Sequence, residues 1–430
     1  MLTISIPVMN NWPLTRQCLT TLAEHTRGNV VEVIVVDNAS TDETPVACEP
    51  LGQSLFDGRF KYLRQERNLN FGPASNLGAR AGNGNFVLFL NNDTILTPGW
   101  LEPLLDAFDR NESLGAAGPL LMYPGEGGDV DRVQHMGIVF EPQHYPNHLY
   151  EFFPVDHPLS RRRRYVQALT GAALMMTRKV FEETGGFHEE YVNGGEDVDL
   201  CLQIRRLGLE LTCVAESRVY HLASKTPGRN DFEQHNAEVL KRRCVDMIYP
   251  DMHRIAAREG YEIHLTQWLR PYLALPERRR QILEKRLGEN TDLQVLEDAL
   301  NKEPLFHAGR IEAISGHHKA GETAKALRHA FLLTKHRQSP AEFRRLLNLA
   351  QAAGDDRMIR HAEANIAWFE ANVAECGEAA ALYMADYMQK LGESRLSSLY
   401  SDWLAERGTR AGVNASRFFA GGRKMWGLGC

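Results

Sequence analysis

The residues best suited to chemistry in this chain follow an uninterrupted apolar run near residue 90. The run at residues 86–90 has the pattern of a buried strand in a parallel sheet, and Asn91, Asn92 and Asp93 come directly after it. Ligands of open α/β sheets bind beyond the carboxyl ends of the strands. A carboxylate between carboxamides offers hard oxygen ligands for a divalent cation that is shared with substrate phosphates. A polar turn is the alternative interpretation, because Asn and Asp are common turn residues.

A second group of carboxylates, Glu196, Asp197 and Asp199, lies at the start of a segment with helical spacing. The apolar positions that follow, up to Leu207, fall on one face, and Gly208 has the place of the residue just past a helix end. The carboxylates therefore occupy the predicted first turn. The helix dipole alone favours acidic residues there, so this pattern by itself does not distinguish a helix start from a catalytic group.

The elements that must position these groups alternate between strand and helix. The second strand also ends in a burst of polar side chains, DNASTD at residues 37–42. The sequence has no GxGxxG after the first strand and no GxxxxGK[ST], which argues against a dinucleotide fold or a P-loop. Alternation on this scale predicts a doubly wound parallel sheet. The predicted strands are residues 2–8, 30–36, 60–63 and 86–90, and the predicted helices begin at Trp12-Pro13 and span residues 73–81.

Composition and charge restrict the class of protein. The chain has 430 residues, of which 43% are hydrophobic and 24% charged, as in soluble proteins of two or three domains. A net charge of -6 argues against a general nucleic-acid binder. No signal peptide is recognisable, and no apolar run approaches the roughly 18 residues of a membrane span. We therefore expect a cytoplasmic protein, and leave open a peripheral association with the inner face of a membrane.

Eight short blocks, in order along the chain, resemble the signature blocks of family 2 glycosyltransferases. That family has the GT-A fold, and the resemblance covers about residues 1–250. It implies a mixed α/β sheet and the transfer of a sugar from a nucleotide-sugar donor to an acceptor hydroxyl, with inversion at the anomeric carbon. The blocks are ISIPV at 4–8, VVDNASTD at 35–42, NLNFG at 68–72 with Asn76, LNNDT at 90–94, TGAA at 170–173, GGF at 185–187, GEDVDL at 195–200 and YH at 220–221.

The resemblance implies donor-binding roles for residues in the first four blocks. A carboxylate is a pure acceptor, so Asp37 is suited to bind the N3–H of a uracil or thymine ring. For Asp37 and Asp42 a helix cap or an Asx turn is the alternative role. The implied donor-binding residues are Pro7, Asp37, Asn38, Ser40, Asp42, Asn68, Gly72, Asn76, Asn92 and Asp93.

The resemblance also implies a general base and a metal. Asp197 matches the base that takes the proton from the acceptor hydroxyl, and Gly171, Glu196 and Asp199 lie on the acceptor side. The implied cofactor is Mn²⁺ or Mg²⁺, held near the donor diphosphate. Its implied ligands are Asp93, His221 and Asn91, where Asn91 replaces the first acidic residue of the family's usual DxD motif.

The LNNDT block and the long segment at 123–165 look most like rhamnosyltransferase-type members of the family. This favours dTDP-rhamnose as donor, with a UDP-hexose as the alternative. The expected acceptor is a surface glycan, a lipid-linked oligosaccharide or a protein. A competing hypothesis is a transferase-like scaffold without catalysis, in which the carboxyl-terminal helices do the binding.

After about residue 232 the sequence predicts helices and no further strands. Residues 251–430 are expected to form an α-helical domain of antiparallel hairpins, loosely similar to tetratricopeptide repeats. Its expected role is acceptor recognition or oligomerisation, and a homodimer is left open. The predicted helices are residues 278–287, 320–334, 341–353, 357–373, 378–391 and 394–407.

Overall fold

The computed structural model describes residues 1–26, 28, 31–125, 129–223, 229–287 and 292–407. Val30, in the second predicted strand, lies outside these ranges. The contacts within the chain divide it into two compact units. The first contains Met1–Val139 and Asn147–Ile248, and the second contains Phe140–Pro146 and the chain from Tyr249 onward.

The first unit is built on a large mixed sheet with the strand order β3-β2-β1-β4-β10-β6-β11-β5, and β7 pairs with β6. Strands β1 to β4 are parallel neighbours, but β10 is antiparallel to both β4 and β6. The parallel sheet that the alternation predicts is therefore present from β1 to β4, and the antiparallel β10 makes the whole sheet mixed, as the resemblance implied. A parallel crossover needs a long return connection, usually a helix, and the described part of the β6–β10 segment has no α-helix. The strands are β1 Leu2–Val8, β2 Val31–Asp37, β3 Phe60–Arg64, β4 Phe86–Leu90, β5 Thr94–Leu96, β6 Leu114–Tyr123, β7 Arg132–His135, β8 Ile138–Phe140, β9 Pro146–His148, β10 Ala173–Thr177 and β11 Glu210–His221.

Helices cover both faces of this sheet, which explains why its central strands are continuous apolar runs. On one face Val33 and Val35 of β2 join a core with Leu19 of the first helix. On the other face Val36 packs with Ala74 of the third helix. The helices of this unit are α1 Trp12–His25, α2 Thr44–Phe56, α3 Phe71–Ala81, α4 Glu102–Asp109, α5 Arg178–Thr184, α6 Glu196–Arg206 and α7 Glu233–Cys244.

Helix α6 agrees with the sequence prediction except at its end. Gly208 has φ 80°, as expected for the residue past a helix terminus. Leu207, predicted on the apolar face, is 46% exposed instead. It is the C-cap residue, where the chain leaves the helix before the periodicity is complete.

The second unit is mainly helical, but it is not all-α. Two strands, β12 Glu262–Leu265 and β13 Pro271–Ala274, form an antiparallel pair, so the prediction of no strands after residue 232 is wrong. Strands of four residues are too short for their alternation to stand out in the sequence. The helices are α8 Met252–Arg258, α9 Glu277–Leu287, α10 Leu293–Lys302, α11 His307–Lys319, α12 Thr323–His336, α13 Pro340–Ala353, α14 Asp356–Lys390 and α15 Ser394–Ala405.

Helix α14 spans 35 residues where two helices were predicted. Gly377, which lies between the two predicted helices, is buried inside α14, and a Cβ there would lie 3.3 Å from the Trp403 ring of α15. Glycine therefore serves close packing at this position and does not end the helix. None of the helices in the described ranges is both long enough and apolar enough to cross a membrane.

Candidate active site

The carboxyl ends of β1, β2 and β4 lie at one edge of the sheet because these strands are parallel neighbours. Strand β10 begins at the same edge, since it runs antiparallel to β4. The backbone N–H of Asn91 donates to the carbonyl of Ala172 at 2.9 Å. This bond brings together two blocks that are about 80 residues apart in the sequence, the one around Asp93 and the one around Gly171.

Asp93 and His221 meet at this edge. Thr94, next to Asp93, pairs with His221 at the end of β11. The His221 Nε2 atom lies 3.1 Å from Asp93 Oδ1 and 3.3 Å from Asn91 Nδ2. Both side chains are largely buried, with 12% of His221 and 5% of Asp93 exposed. The three residues that the resemblance assigned to the metal are therefore adjacent.

Gln134 of β7 determines which nitrogen of His221 carries the proton. Its Nε2 donates to the His221 carbonyl at 2.9 Å, so its Oε1, 2.6 Å from His221 Nδ1, accepts from that nitrogen. In the neutral ring, Nε2 then presents its lone pair to Asp93 Oδ1. Two acceptors at 3.1 Å repel each other unless a proton or a cation lies between them. A carboxylate, an imidazole and an amide that can present its oxygen form a donor set that fits Mn²⁺ or Mg²⁺.

Gln134 was missed as a site residue, although a polar side chain in a fully buried strand is a signal of such a role. Its amide orients the histidine in the way that outer-shell partners orient metal ligands.

Asp197 lies in the first turn of α6, which starts after Gly195 in the left-handed region at φ 88°. Its Oδ2 accepts the backbone N–H of Gly171 at 2.9 Å, and its Oδ1 accepts that of Val198 at 2.9 Å. A Cβ on Gly171 would lie 3.1 Å from the Phe71 ring. The absence of a side chain at Gly171 thus lets the backbone approach, and the carboxylate is fixed beside the start of β10.

Two histidines support the loop that holds Asp197. His135 Nε2 accepts the backbone N–H of Thr170 at 3.3 Å, and its Nδ1 lies 2.8 Å from His148 Nδ1. Burial, and then the nearby His148 and His221, hold the pKa of His135 well below its usual value, so the ring is neutral. Its single proton is therefore on Nδ1 and points to His148. Nothing local in the sequence indicates the contact of His135 with Thr170.

Comparison with known proteins identifies the unit that carries this site. Residues 3–185 match the model of glycosyl transferase family 2, and residues 155–225 match the model described as the N-terminal domain of galactosyltransferase. Residues 3–185 are therefore a glycosyl transferase family 2 domain. Its mixed sheet, covered by helices on both faces, is the GT-A fold that the sequence blocks implied.

The relatives of this transferase include proteins of bacterial glycan synthesis. The chain is 32% identical over 225 residues to the O-antigen biosynthesis protein RfbC of Myxococcus xanthus, covering 51% of this chain and 17% of that protein. It is 29% identical over 217 residues to an N-acetylglucosaminyl-diphospho-decaprenol L-rhamnosyltransferase of Mycobacterium tuberculosis, covering 46% of this chain and 69% of that protein. An uncharacterised protein of Sinorhizobium fredii is 29% identical, and the match covers 27% of it. The match thus spans about a sixth of the Myxococcus protein and about a quarter of the Sinorhizobium protein.

Solved structures show weaker likeness. GalNAc-T7, in a complex with UDP, GalNAc and Mn²⁺, has a TM-score of 0.43 and 19% identity over 51% of this chain and 43% of that chain. The mannosyltransferase PcManGT of Pyrobaculum calidifontis has a TM-score of 0.41 and 16% identity over 93% of this chain and 85% of that chain.

In the transferase domain, the residues that follow β2 bond within their own loop and to the neighbouring β1–α1 loop and β3. Asp37 is fully buried, and its carboxylate accepts from the backbone of Ser40 and from the Tyr62 hydroxyl. Ser40 Oγ accepts from the backbone of Asn10 at 2.8 Å. Asp42 accepts the backbone N–H of Trp12 at 2.9 Å and that of Thr44 at 3.0 Å. Asp37 and Asp42 thus make the turn and helix-start contacts of the alternative interpretation, and their donor-binding role stays a prediction.

Asn76 and Asp199 also bond within the protein. Asn76 is buried, and its amide pairs with the backbone N–H and carbonyl of Phe187 at 2.9 and 2.8 Å. Asp199 is 1% exposed and forms an ion pair with Arg243. The donor contact of Asn76 and the acceptor contact of Asp199 stay predictions. A buried carboxamide or carboxylate binds what the fold brings to it, and the sequence does not reveal those partners.

The remaining predicted residues are distributed around the same edge. Pro7 is next to the end of β1, and Asn38 accepts the backbone N–H of Leu69 at 3.2 Å. Glu196 accepts the backbone N–H of Gly194 at 2.6 Å and so supports the loop before α6. Asn68 accepts from Asn70, Asn92 donates to Thr15, and Gly72 lies against Phe187.

Proposed function

We propose that this chain is an inverting glycosyltransferase in which Asp197 is the general base and Asp93, His221 and Asn91 hold a divalent cation. The observation that carries the proposal is the bond between Asn91 and Ala172 at 2.9 Å. It joins Asn91, which follows β4, to Ala172, and the residue before Ala172, Gly171, donates its backbone N–H to Asp197 of α6. A group suited to bind a diphosphate and a group suited to accept a proton are thus fixed beside the adjoining ends of β4 and β10.

In this mechanism the acceptor hydroxyl loses its proton to the Asp197 carboxylate as its oxygen attacks the anomeric carbon. The new bond from carbon to the acceptor oxygen forms while the bond from carbon to the diphosphate oxygen breaks, so the configuration inverts. Two backbone N–H groups hold the Asp197 carboxylate, and the positive end of the α6 dipole stabilises its charge. When bound, a divalent cation supplies positive charge near the leaving nucleoside diphosphate.

For the donor we propose dTDP-rhamnose, with a UDP-hexose as the second candidate. Similarity to the mycobacterial rhamnosyltransferase, of which the match covers 69%, supports rhamnose. The similarity to that decaprenol-linked rhamnosyltransferase and to the O-antigen biosynthesis protein also supports a lipid-linked or surface glycan as acceptor. We further propose that residues 251–430 contribute acceptor recognition or oligomerisation, because stacked helical hairpins commonly present binding surfaces.

The test is hydrolysis and binding of nucleotide sugars by the purified full chain. A panel of dTDP-, UDP- and GDP-sugars is titrated with and without Mn²⁺, and release of the nucleoside diphosphate is measured. We expect metal-dependent binding and slow hydrolysis of dTDP-rhamnose. Binding of a UDP-hexose instead would correct the donor and retain the reaction. No binding of any donor would overturn the proposal in favour of a scaffold.

A further inference from the structure

A second cluster of metal-ligating side chains lies in the helical unit, outside the transferase site. Glu297 of α10, His317 of α11 and His329 of α12 each offer a ligand atom, and these atoms lie within 4.8 Å of one another. The two histidines are 2% and 1% exposed, and the Glu297 side chain is 17% exposed. Nothing in the proposed transfer reaction uses these residues.

The two imidazoles approach the same carboxylate oxygen. Glu297 Oε1 lies 2.8 Å from His317 Nε2 and 2.7 Å from His329 Nε2. The rings are nearly parallel, with an interplanar angle of 7° and centroids 5.5 Å apart. Two imidazole nitrogens and one carboxylate oxygen are a donor set for Zn²⁺ and related transition metals, whereas Mg²⁺ and Ca²⁺ prefer oxygen ligands.

The proton positions of His317 are determined by a second carboxylate. His317 Nδ1 lies 2.5 Å from Glu322 Oε2, so Nδ1 carries a proton and donates it. A carboxylate that accepts from the far nitrogen of a metal-ligating histidine is the common outer-shell arrangement at zinc sites. In neutral His317 the Nε2 lone pair then faces Glu297 Oε1 at 2.8 Å. These two acceptors repel each other, so the arrangement requires a second proton on His317 or a metal cation.

The network of polar contacts continues beyond the cluster. Lys325 pairs with Glu322 at 3.1 Å, so the carboxylate that accepts from His317 Nδ1 is itself held by an ion pair.

Arg310 is the group that a bound metal must accommodate. Its Nη1 lies 3.3 Å from His329 Nδ1, and its Nη2 donates to the carbonyl of Pro304 at 3.0 Å. With a metal on Nε2, the ring proton of His329 moves to Nδ1, and the Arg310 Nη1 group turns away while the bond to Pro304 remains. We therefore expect weaker binding than at a structural site with four protein ligands.

We propose that Glu297, His317 and His329 bind one divalent transition metal of the zinc class, which links helices α10, α11 and α12. Solvent reaches the site beside the partly exposed Glu297, where water can complete the coordination. The role is structural, and it is independent of the transfer reaction.

The test is zinc binding by the full chain in an Asp93→Asn background, which removes the carboxylate of the other cation site. Metal is stripped with a chelator, and Zn²⁺ is titrated by calorimetry while Tm is followed. We expect one equivalent of Zn²⁺ and a higher Tm. Further substitution with Glu297→Gln or His317→Gln should abolish both effects. The matched control is His318→Gln, because His318 is the exposed neighbour of His317 and should leave binding unchanged.

Circular dichroism of each variant shows whether it is folded. If a variant fails to fold, Co²⁺ titration of the Asp93→Asn chain still tests the proposal, because bound cobalt reports nitrogen ligation and coordination number in its visible spectrum. The proposal is overturned if the Asp93→Asn chain binds neither metal, or if folded Glu297→Gln and His317→Gln chains bind zinc as their parent does. Protonated His317 would then be the cation between the two carboxylates.

Discussion

Asp197→Asn is the most direct perturbation of the proposed mechanism. Loss of a general base costs typically about 10²- to 10⁴-fold in rate, which is roughly 3 to 5 kcal/mol of transition-state stabilisation at about 1.4 kcal/mol per tenfold. The substitution also has a structural cost. Asp197 uses one oxygen for Gly171 N–H and the other for Val198 N–H, both at 2.9 Å. Asparagine has a single oxygen, so one of these donors faces an NH₂ group instead, at a cost of about 1–3 kcal/mol in stability.

These two costs appear in different measurements. We expect kcat for transfer to fall by about 10²- to 10⁴-fold, while the Kd of the donor changes little, because in the proposed mechanism Asp197 acts on the acceptor. Urea unfolding should report the loss of stability. Glu196→Gln is the matched control: Glu196 precedes Asp197 in the same helical turn, and its carboxylate accepts the backbone N–H of Gly194. The reasoning is refuted if folded Asp197→Asn transfers sugar at the normal rate, or if Glu196→Gln loses more activity.

Three further outcomes are expected. EDTA should weaken donor binding and Mn²⁺ should restore it, because the cation supplies positive charge to the diphosphate. Asp93→Asn should remove this response, and equal donor affinity in EDTA contradicts the cation site. The pKa of His135 is well below its usual value in the folded chain. Below about pH 6.5 the unfolded chain therefore binds a proton at His135 that the folded chain does not, and the free energy of unfolding should fall by up to about 1.4 kcal/mol per pH unit. His135→Gln should reduce the slope of the free energy of unfolding against pH, measured by urea unfolding at pH 5 to 7. It should also lower kcat more than it lowers donor affinity. An unchanged slope would count against a neutral His135. A chain ending at Ile248 should be less stable in thermal unfolding, because Phe140 N–H and His144 lose their partners Asp251 and Tyr387, at 2.8 and 3.0 Å; an unchanged Tm would contradict this.

The sequence predicted those parts of the site that depend on local pattern. Strand β4 and the polar residues after it, and the first turn of α6 with Asp197, lie where the apolar periodicity placed them. The motif order also placed Asp93 and His221 in one group. Their proximity rests on the antiparallel pairing of β5 with β11, which joins residues more than 100 positions apart.

The sequence did not reveal partners that only the folded chain provides. The Asn76 amide bonds to the backbone of Phe187, and the Asp37 carboxylate accepts from the Tyr62 hydroxyl. A glycine such as Gly377 is the same residue in the sequence whether it ends a helix or allows a ring such as Trp403 to pack closely against the helix. In each case a contact distant in sequence decides the role, and local periodicity carries no information about it.

The short segment Phe140–Pro146 has a consequence for the ancestry of the two units. It belongs to the helical unit although it is encoded within the transferase half, so the chain crosses between the units three times, after Val139, Pro146 and Ile248. A gene fusion joined at a single point near residue 250 would transplant the helices without His144, which Tyr387 binds at 3.0 Å. The helical unit is thus not a cassette that recombination can exchange in one step. Substitutions in this segment and in its helical partners are therefore expected to covary among homologues, and a chimera should include both exchanged pieces.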